Sequence, residues 1–257
     1  MKKIIKRIKH IGISIWLAAK EKTFCANGTR LKYLLFQGNK DALIVVFSAY
    51  NEKPLYNYVR SLKGIKATRL YIKDDFGANG KGSYYLGENG NHNVEKTVYE
   101  LIEKQIMEIG IIDSSTKLIF VGSSKGGYAA LNFAAMYNNS YAIVGAPQYL
   151  LGTHLIHDNL YLMMDDIIGC RDRNRVLALD DHIRVKYEKK PQEYKQTIYI
   201  QYSEEEYTYD LHIKQLIEDL KKTSIEVNLE ILHYKEHTDV HKYFPKYLQD
   251  VISCILE

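Results

Sequence analysis

Leu118-Ile119-Phe120-Val121-Gly122-Ser123-Ser124-Lys125-Gly126-Gly127-Tyr128-Ala129-Ala130-Leu131 is the stretch on which the fold reading turns. Lys117–Val121 is an apolar run closed by glycine, the pattern of a buried strand, and Gly126–Tyr137 reads as a helix rich in small residues. A strand that passes through Gly-x-Ser-x-Gly straight into a helix holds its central serine in a strained turn, with the hydroxyl projecting above the sheet. Gly122 and Gly126 lack Cβ atoms, so strand and helix can approach closely there. The helix N-terminus adds the positive end of a dipole beneath the hydroxyl. Ser124 is therefore the candidate nucleophile. A phosphate-binding loop would need Gly-Lys-Ser/Thr, but Lys125 precedes its glycines, and neither serine has a lysine three places on.

Working outward, strand and helix patterns alternate. Arg30–Phe36 and Leu43–Ser48 read as a hairpin-like pair of strands around Gln37–Lys40. Leu55–Leu62 reads as a short helix, Thr68–Lys73 as a strand, and Val94–Ile109 as a helix stopped by Gly110. Tyr141–Gly145 is a strand. The rhythm breaks from about 147 to 196, where no strand is evident, and then resumes. Thr197–Tyr202 and Glu226–Tyr234 read as strands, Tyr209–Lys222 and His241–Leu256 as helices. Val/Ile-rich strands alternating with helices predict an α/β protein with a mostly parallel central sheet and helices on both faces. With the serine turn, this predicts an α/β-hydrolase fold with a cap insertion at about 147–196 over the strand C-terminal ends, where open α/β sheets place ligands.

A serine nucleophile needs a base and an acid that follow it in the order Ser, Asp/Glu, His. The loop after the last strand carries His237, with His241 at the start of the final helix as the alternative. The loop after the preceding strand reads Ser203-Glu204-Glu205-Glu206. Glu206 lies furthest into it, Glu205 is the alternative, and Asp210 is a third candidate. The loop after Tyr141–Gly145 has no carboxylate until Asp158. The oxyanion of an acyl-transfer step needs two donors: the backbone N–H of Lys125, and one from the loop after Leu43–Ser48, with Ala49 first and Tyr50 next. His233, His237 and His241 are four apart, as zinc ligands on a helix would be, but a strand-to-helix break separates them, so no metal is expected. Asp74-Asp75-Phe76-Gly77 matches a kinase motif without the accompanying kinase loops. His154 and His157-Asp158 fall in the insertion and read as polar surface.

The 257 residues suit one domain, and neither 46% hydrophobic nor 26% charged content is unusual. A net charge of +4 without a basic, aromatic-interleaved block argues against a nucleic-acid partner. Three scattered cysteines argue against a disulfide framework and fit a reducing, cytoplasmic compartment. The 22 tyrosines offer faces and hydroxyls suited to sugars, or serve as half-buried filler. Residues 1–20 form a separate unit preceding the 21–257 domain. Ile4, Ile8, Ile11 and Ile15 make an apolar stripe opposite Lys2, Lys3, Lys6, Arg7 and Lys9. Such a helix contacts an anionic inner-membrane surface, packs on the domain, or is a secretory signal that lacks a clear cleavage site.

The run Phe120–Leu131 resembles the serine turn of α/β-hydrolases of capsular polysaccharide biosynthesis and of the acetyltransferase component of the accessory Sec export system. Tyr202-Ser203 with Glu206–Tyr209 is similar to the acid loop of that group, and His237-Thr238-Asp239-Val240 to its histidine loop. Asp74 and Gly77 match as well. The resemblance implies a Ser-acid-His acyl-transfer site, favours Glu206 and His237 over their neighbours, and implies a carbohydrate-linked substrate; no cofactor is expected. Two functions follow as expectations: a serine esterase or O-acyltransferase acting on a glycan-linked acyl group, or a non-catalytic binding or scaffold protein of a polysaccharide assembly complex.

Overall fold

The structure, a computed structural model, describes residues 16–110 and 116–257. The eight strands are β1 (Lys22–Ala26), β2 (Thr29–Phe36), β3 (Asn39–Phe47), β4 (Ala67–Ile72), β5 (Lys117–Ser123), β6 (Ser140–Gly145), β7 (Gln196–Ser203) and β8 (Glu226–Leu232). They form one sheet in the order β1-β2-β4-β3-β5-β6-β7-β8. From β4 to β8 every pairing is parallel, and β2 runs antiparallel to both its neighbours. The helices are α1 (Asn93–Ile109), α2 (Lys125–Ala134), α3 (Leu151–His157), α4 (Tyr161–Ile168), α5 (Arg173–Glu188), α6 (Lys214–Leu220, entered through a wide turn at Tyr209–Ile213) and α7 (Val240–Leu256).

Central strands are buried on both faces: Leu43–Phe47, Ile119–Val121 and Ala142–Val144 are essentially inaccessible, which is why they read as continuous apolar runs. Helices cover both faces. α2 packs on β3, β5 and β6, while α7 packs on β5, β6 and β7 and lays Phe244 against Gly145. Any side chain at Gly145 would strike that ring, since a Cβ there would lie 2.5 Å from it.

Three sequence expectations change. The hairpin partner of β2 is β1, not β3: Asn27 and Gly28, both with positive φ, form its two-residue turn. β4 lies between β2 and β3, and the chain crosses at Gly38, where a Cβ would sit 1.8 Å from the Lys66 carbonyl. Leu55–Leu62 is a series of turns rather than a helix, because Tyr58 adopts φ 59° in the left-handed region. The insertion at 147–196 contains no strand, as expected, but it carries three helices. α5 buries only Leu179, Ile183 and Tyr187, a narrow stripe at i, i+4, i+8 that its charged residues obscure in the sequence.

The insertion does not cover the sheet as one piece. Its first part, through Leu160, borders the cleft above the strand ends, while α5 packs beside α1 and α2. Glu95 of α1 is the hub of that second contact. It accepts from Asn132 Nδ2 (2.8 Å), His92 Nδ1 (3.0 Å), His182 Nε2 (3.0 Å) and Lys186 Nζ (2.6 Å). Against the opposing effect of burial, the hydrogen bonds from His182 and His92, with the nearby Lys186 charge, hold its carboxylate far below the usual range.

Most of the 1–20 unit lies outside the described residues, and so do the membrane-surface and signal readings that rest on it. Residues 16–20 are helical, and Trp16 stacks on Phe36 with ring centroids 5.7 Å apart. No helix among the described residues is long and apolar enough to cross a membrane.

Candidate active site

Ser124 joins β5 to α2 with φ 52° and ψ −120°, a conformation that non-glycine residues adopt only when their surroundings enforce it. Those surroundings are close-packed: a Cβ on Gly122 would lie 2.0 Å from the Gly126 carbonyl oxygen, and one on Gly126 would lie 2.7 Å from that of Phe47. The Ser124 N–H donates to the Gly145 carbonyl at 2.9 Å, which ties the turn to the neighbouring strand.

His237 follows β8 in a short 3-10 turn before α7. Its Nε2 lies 2.8 Å from Ser124 Oγ, and its Nδ1 lies 2.9 Å from Glu206 Oε1. Glu206 is a carboxylate with no exposed side-chain surface, and it also accepts from the N–H and the hydroxyl of Thr208. Because Glu206 only accepts, Nδ1 carries the hydrogen, and Nε2 presents a lone pair to the serine hydroxyl. Glu205 is exposed and pairs with His233, Asp210 is exposed, and His241 turns its Nδ1 to the Thr238 carbonyl. The histidines at 233, 237 and 241 thus point to three different partners rather than converging on a metal. Among the described residues, His92, Glu95 and His182 have donor atoms within 4.8 Å of one another, but the Lys186 ammonium already occupies that carboxylate.

The side chain of Lys125 is a feature that the sequence reading missed. It is buried, and its ammonium donates to Asp74 Oδ2 at 2.8 Å, with side-chain exposures of 2% and 0%. Asp74 also accepts from the backbone N–H of Ser83 and Tyr85. The available signal was a lysine between glycines at a turn that must be buried, since such a charge needs a counter-ion. Ser48 N–H donates to Tyr85 Oη at 2.7 Å, so the loops after β3, β4 and β5 share one buried network.

A cleft of ≈ 750 Å³ opens above Ser124, bordered by Tyr50, Tyr58, Tyr84, Gln148, Asp158 and Tyr207 among others. Part of the tyrosine excess is therefore in the cleft, while Tyr71, Tyr85, Tyr128 and Tyr149 are fully buried core. Ala49 borders the cleft, but its N–H donates to Asn57 Oδ1 at 3.0 Å and is not free. Tyr58 and Ser123 share a 2.5 Å hydrogen bond, and burial pushes the Tyr58 phenol up to about 12, so it stays protonated.

His154 was expected on the surface, but its ring is buried. Tyr84 donates to Gln148 Oε1, so Gln148 Nε2 donates to His154 Nε2 at 2.8 Å, and the proton of the imidazole sits on Nδ1. Behind it lies His212, buried with neither ring nitrogen hydrogen-bonded. Burial lowers His154 to about 4 and His212 to about 2. Below the unfolded value of about 6.5 the unfolded chain binds protons that the folded chain does not, so stability falls as the pH is lowered. The share from His154 stops growing near about 4, and that from His212 near about 2. His212→Leu is expected to flatten the acid limb between about pH 6 and pH 4.5 by up to about 1.4 kcal/mol per pH unit. Urea unfolding at three pH values in this range measures it, and a slope equal to wild type rules out this origin of acid lability.

A strained serine raised over a sheet of this strand order, with its histidine and carboxylate delivered by the loops after the last two strands, defines the α/β-hydrolase class. Within that class the sequence is more specific. The chain belongs to the accessory Sec system GspB-transporter family, whose sequence model matches residues 6–252. No curated protein matches the sequence. Among solved structures, the capsule O-acetyltransferase of Neisseria meningitidis serogroup A superposes with a TM-score of 0.73 at 20% identity, covering 90% of this chain and 94% of that one. The glycosylation-associated Gap123 complex of Streptococcus agalactiae gives 0.69 at 17% identity, over 91% of this chain and 46% of that chain. An acylaminoacyl peptidase of Pyrococcus horikoshii gives 0.66 at 15% identity, over 92% and 40%. These likenesses establish the fold.

Proposed function

We propose that the protein is a serine O-acyltransferase or esterase acting on a carbohydrate-linked acyl group. The observation that carries the reading is the hydrogen-bonded chain Ser124–His237–Glu206, at 2.8 and 2.9 Å, on the floor of a tyrosine-lined cleft. His237 Nε2 takes the Ser124 proton as Oγ attacks the acyl carbonyl, and Glu206 stabilises the resulting imidazolium without being protonated. The N–H of Lys125 faces the developing oxyanion. Collapse expels the leaving thiol or alcohol, which receives the proton from His237, and leaves an acyl-serine. In the second half-reaction His237 deprotonates a sugar hydroxyl or a water, which attacks the ester and frees Ser124.

Family membership and the likeness to a capsule O-acetyltransferase support a glycan acceptor. The solved complex of a mutant of that enzyme with CoA supports a CoA thioester as the class of acyl donor. The likeness to a component of the Gap123 complex supports work within a protein assembly, where a non-catalytic role would also fit.

A fluorophosphonate probe is expected to label the protein at Ser124, and the purified chain is expected to release acetate from an activated acetyl ester. His237→Ala should abolish both. A wild-type protein that neither labels nor turns over would favour the scaffold reading.

A further inference from the structure

We propose that the side-chain amide of Asn57 is the second donor of the oxyanion hole, acting with the Lys125 N–H. This inference rests on the acyl-transfer reading above. Asn57 borders the cleft together with Ser124 and His237. The Ala49 N–H, the backbone donor that the fold would otherwise supply, is already bonded to Asn57 Oδ1 at 3.0 Å. That bond fixes the orientation of the amide, because only the oxygen can accept a backbone N–H. Nδ2 is therefore the free end. Among the described residues it has no protein acceptor, and it is not sealed from solvent.

The segment carrying Asn57 is held against the nucleophile from both sides. Tyr58, the next residue, keeps a left-handed backbone with φ 59°, an outlier for so bulky a side chain. Its hydroxyl is bonded at 2.5 Å to Ser123, the neighbour of the nucleophile, and its ring packs edge-on against Phe244 with centroids 5.2 Å apart. Strain of this kind persists only when its surroundings enforce it, and here they fix the residue before Tyr58 at the mouth of the site. The Ala49 N–H then acts through Asn57: donating to Oδ1 polarises the amide and strengthens the Nδ2–H donors. A neutral amide gains little from a ground-state carbonyl and most from a full oxyanion, which is the differential stabilisation that catalysis needs.

Unlike a backbone donor, this one is open to mutation. Asn57→Asp is the discriminating variant: a carboxylate still accepts the Ala49 N–H and holds the loop, but it has no hydrogen to give and repels the oxyanion. With the full-length chain and p-nitrophenyl acetate, Asn57→Asp and Asn57→Ala should each lower kcat by about 10²–10³-fold, with KM changed less than about threefold. Fluorophosphonate labelling should slow by a similar factor, because the phosphoryl oxygen takes the oxyanion's place. Retention of kcat within about threefold by Asn57→Asp, at unchanged thermal stability, would overturn the proposal and return the role to a backbone donor such as Tyr50 N–H. The parent reading fails separately: wild type would then be as inactive as Ser124→Ala, and Asn57 would fall with it.

Discussion

Ser124→Ala is expected to lower kcat for an activated acetyl ester by on the order of 10⁶-fold while leaving KM within a few-fold. In the proposed mechanism the hydroxyl oxygen is the atom to which the acyl group bonds, and Ser123, one residue away, cannot replace it, because it is buried and its Oγ is committed to Tyr58. The residual rate should still exceed that in water by about 10³–10⁴, because binding and the oxyanion donors survive the substitution. The effects of the three residues should not add. His237→Ala alone should cost about as much as Ser124→Ala, since each removes the same unit, and the double variant should be little worse. Glu206→Gln should cost about 10⁴-fold, because an amide can donate to Nδ1 and select the wrong tautomer. Alanine keeps the Cβ that φ 52° penalises, so the substitution relieves no strain, and the melting temperature should move little. Steady-state kinetics of the four variants is the measurement. A loss of less than about tenfold for Ser124→Ala would remove the covalent mechanism.

What the sequence made legible follows from how local each feature is. The serine turn could be read because its requirements are written in consecutive residues: an apolar strand, a residue tolerating strain, and glycines on either side where Cβ atoms would strike backbone. The loops holding Glu206 and His237 could be read because strand and helix patterns alternate regularly after the insertion and chain order fixes which loop supplies which group. The strand pairing could not. β2 ends six residues before the buried part of β3, which imitates a hairpin, and only the later insertion of β4 between them separates the two. The true hairpin turn, Asn27-Gly28, was a stronger signal that a short polar strand, Lys22–Ala26, left without context. Tyr58 illustrates a different limit. Its apolar neighbours Leu55, Val59 and Leu62 have helical spacing, but a hydrogen bond to Ser123, far away in sequence, pulls the backbone into the left-handed region. Asp74 is likewise defined by a partner on another loop, Lys125, and no spacing rule reports that.

Lys125→Met should destabilise the protein by about 3–5 kcal/mol, a large share of a domain stability of about 5–15 kcal/mol. Methionine keeps the unbranched stem that runs past Tyr85, so the packing loss is small, and the penalty comes from leaving the Asp74 carboxylate buried without its cation. The N–H groups of Ser83 and Tyr85 still reach that carboxylate, so Lys125→Met should be milder than Asp74→Ala, which strands the ammonium and both backbone donors together. The surroundings leave little room for compensation: a Cβ on Gly82 would lie 2.3 Å from Lys125 Nζ and 2.6 Å from Asp74 Oδ2, so the chain already presses on the pair. Lys125→Met combined with Asp74→Asn removes both charges and should be no less stable than either single change, which identifies the cost as that of an unpaired charge rather than of lost volume. The same residue ties stability to chemistry in the proposed mechanism, where its backbone N–H is the oxyanion donor, and its ammonium anchors the turn that carries it. Lys125→Met should therefore also lower kcat at temperatures well below its melting point, with KM nearly constant. Urea denaturation of the two single variants and the double variant decides the matter: a cost below about 1 kcal/mol for Lys125→Met would mean that water reaches the pair, and that the turn is held by its glycines alone.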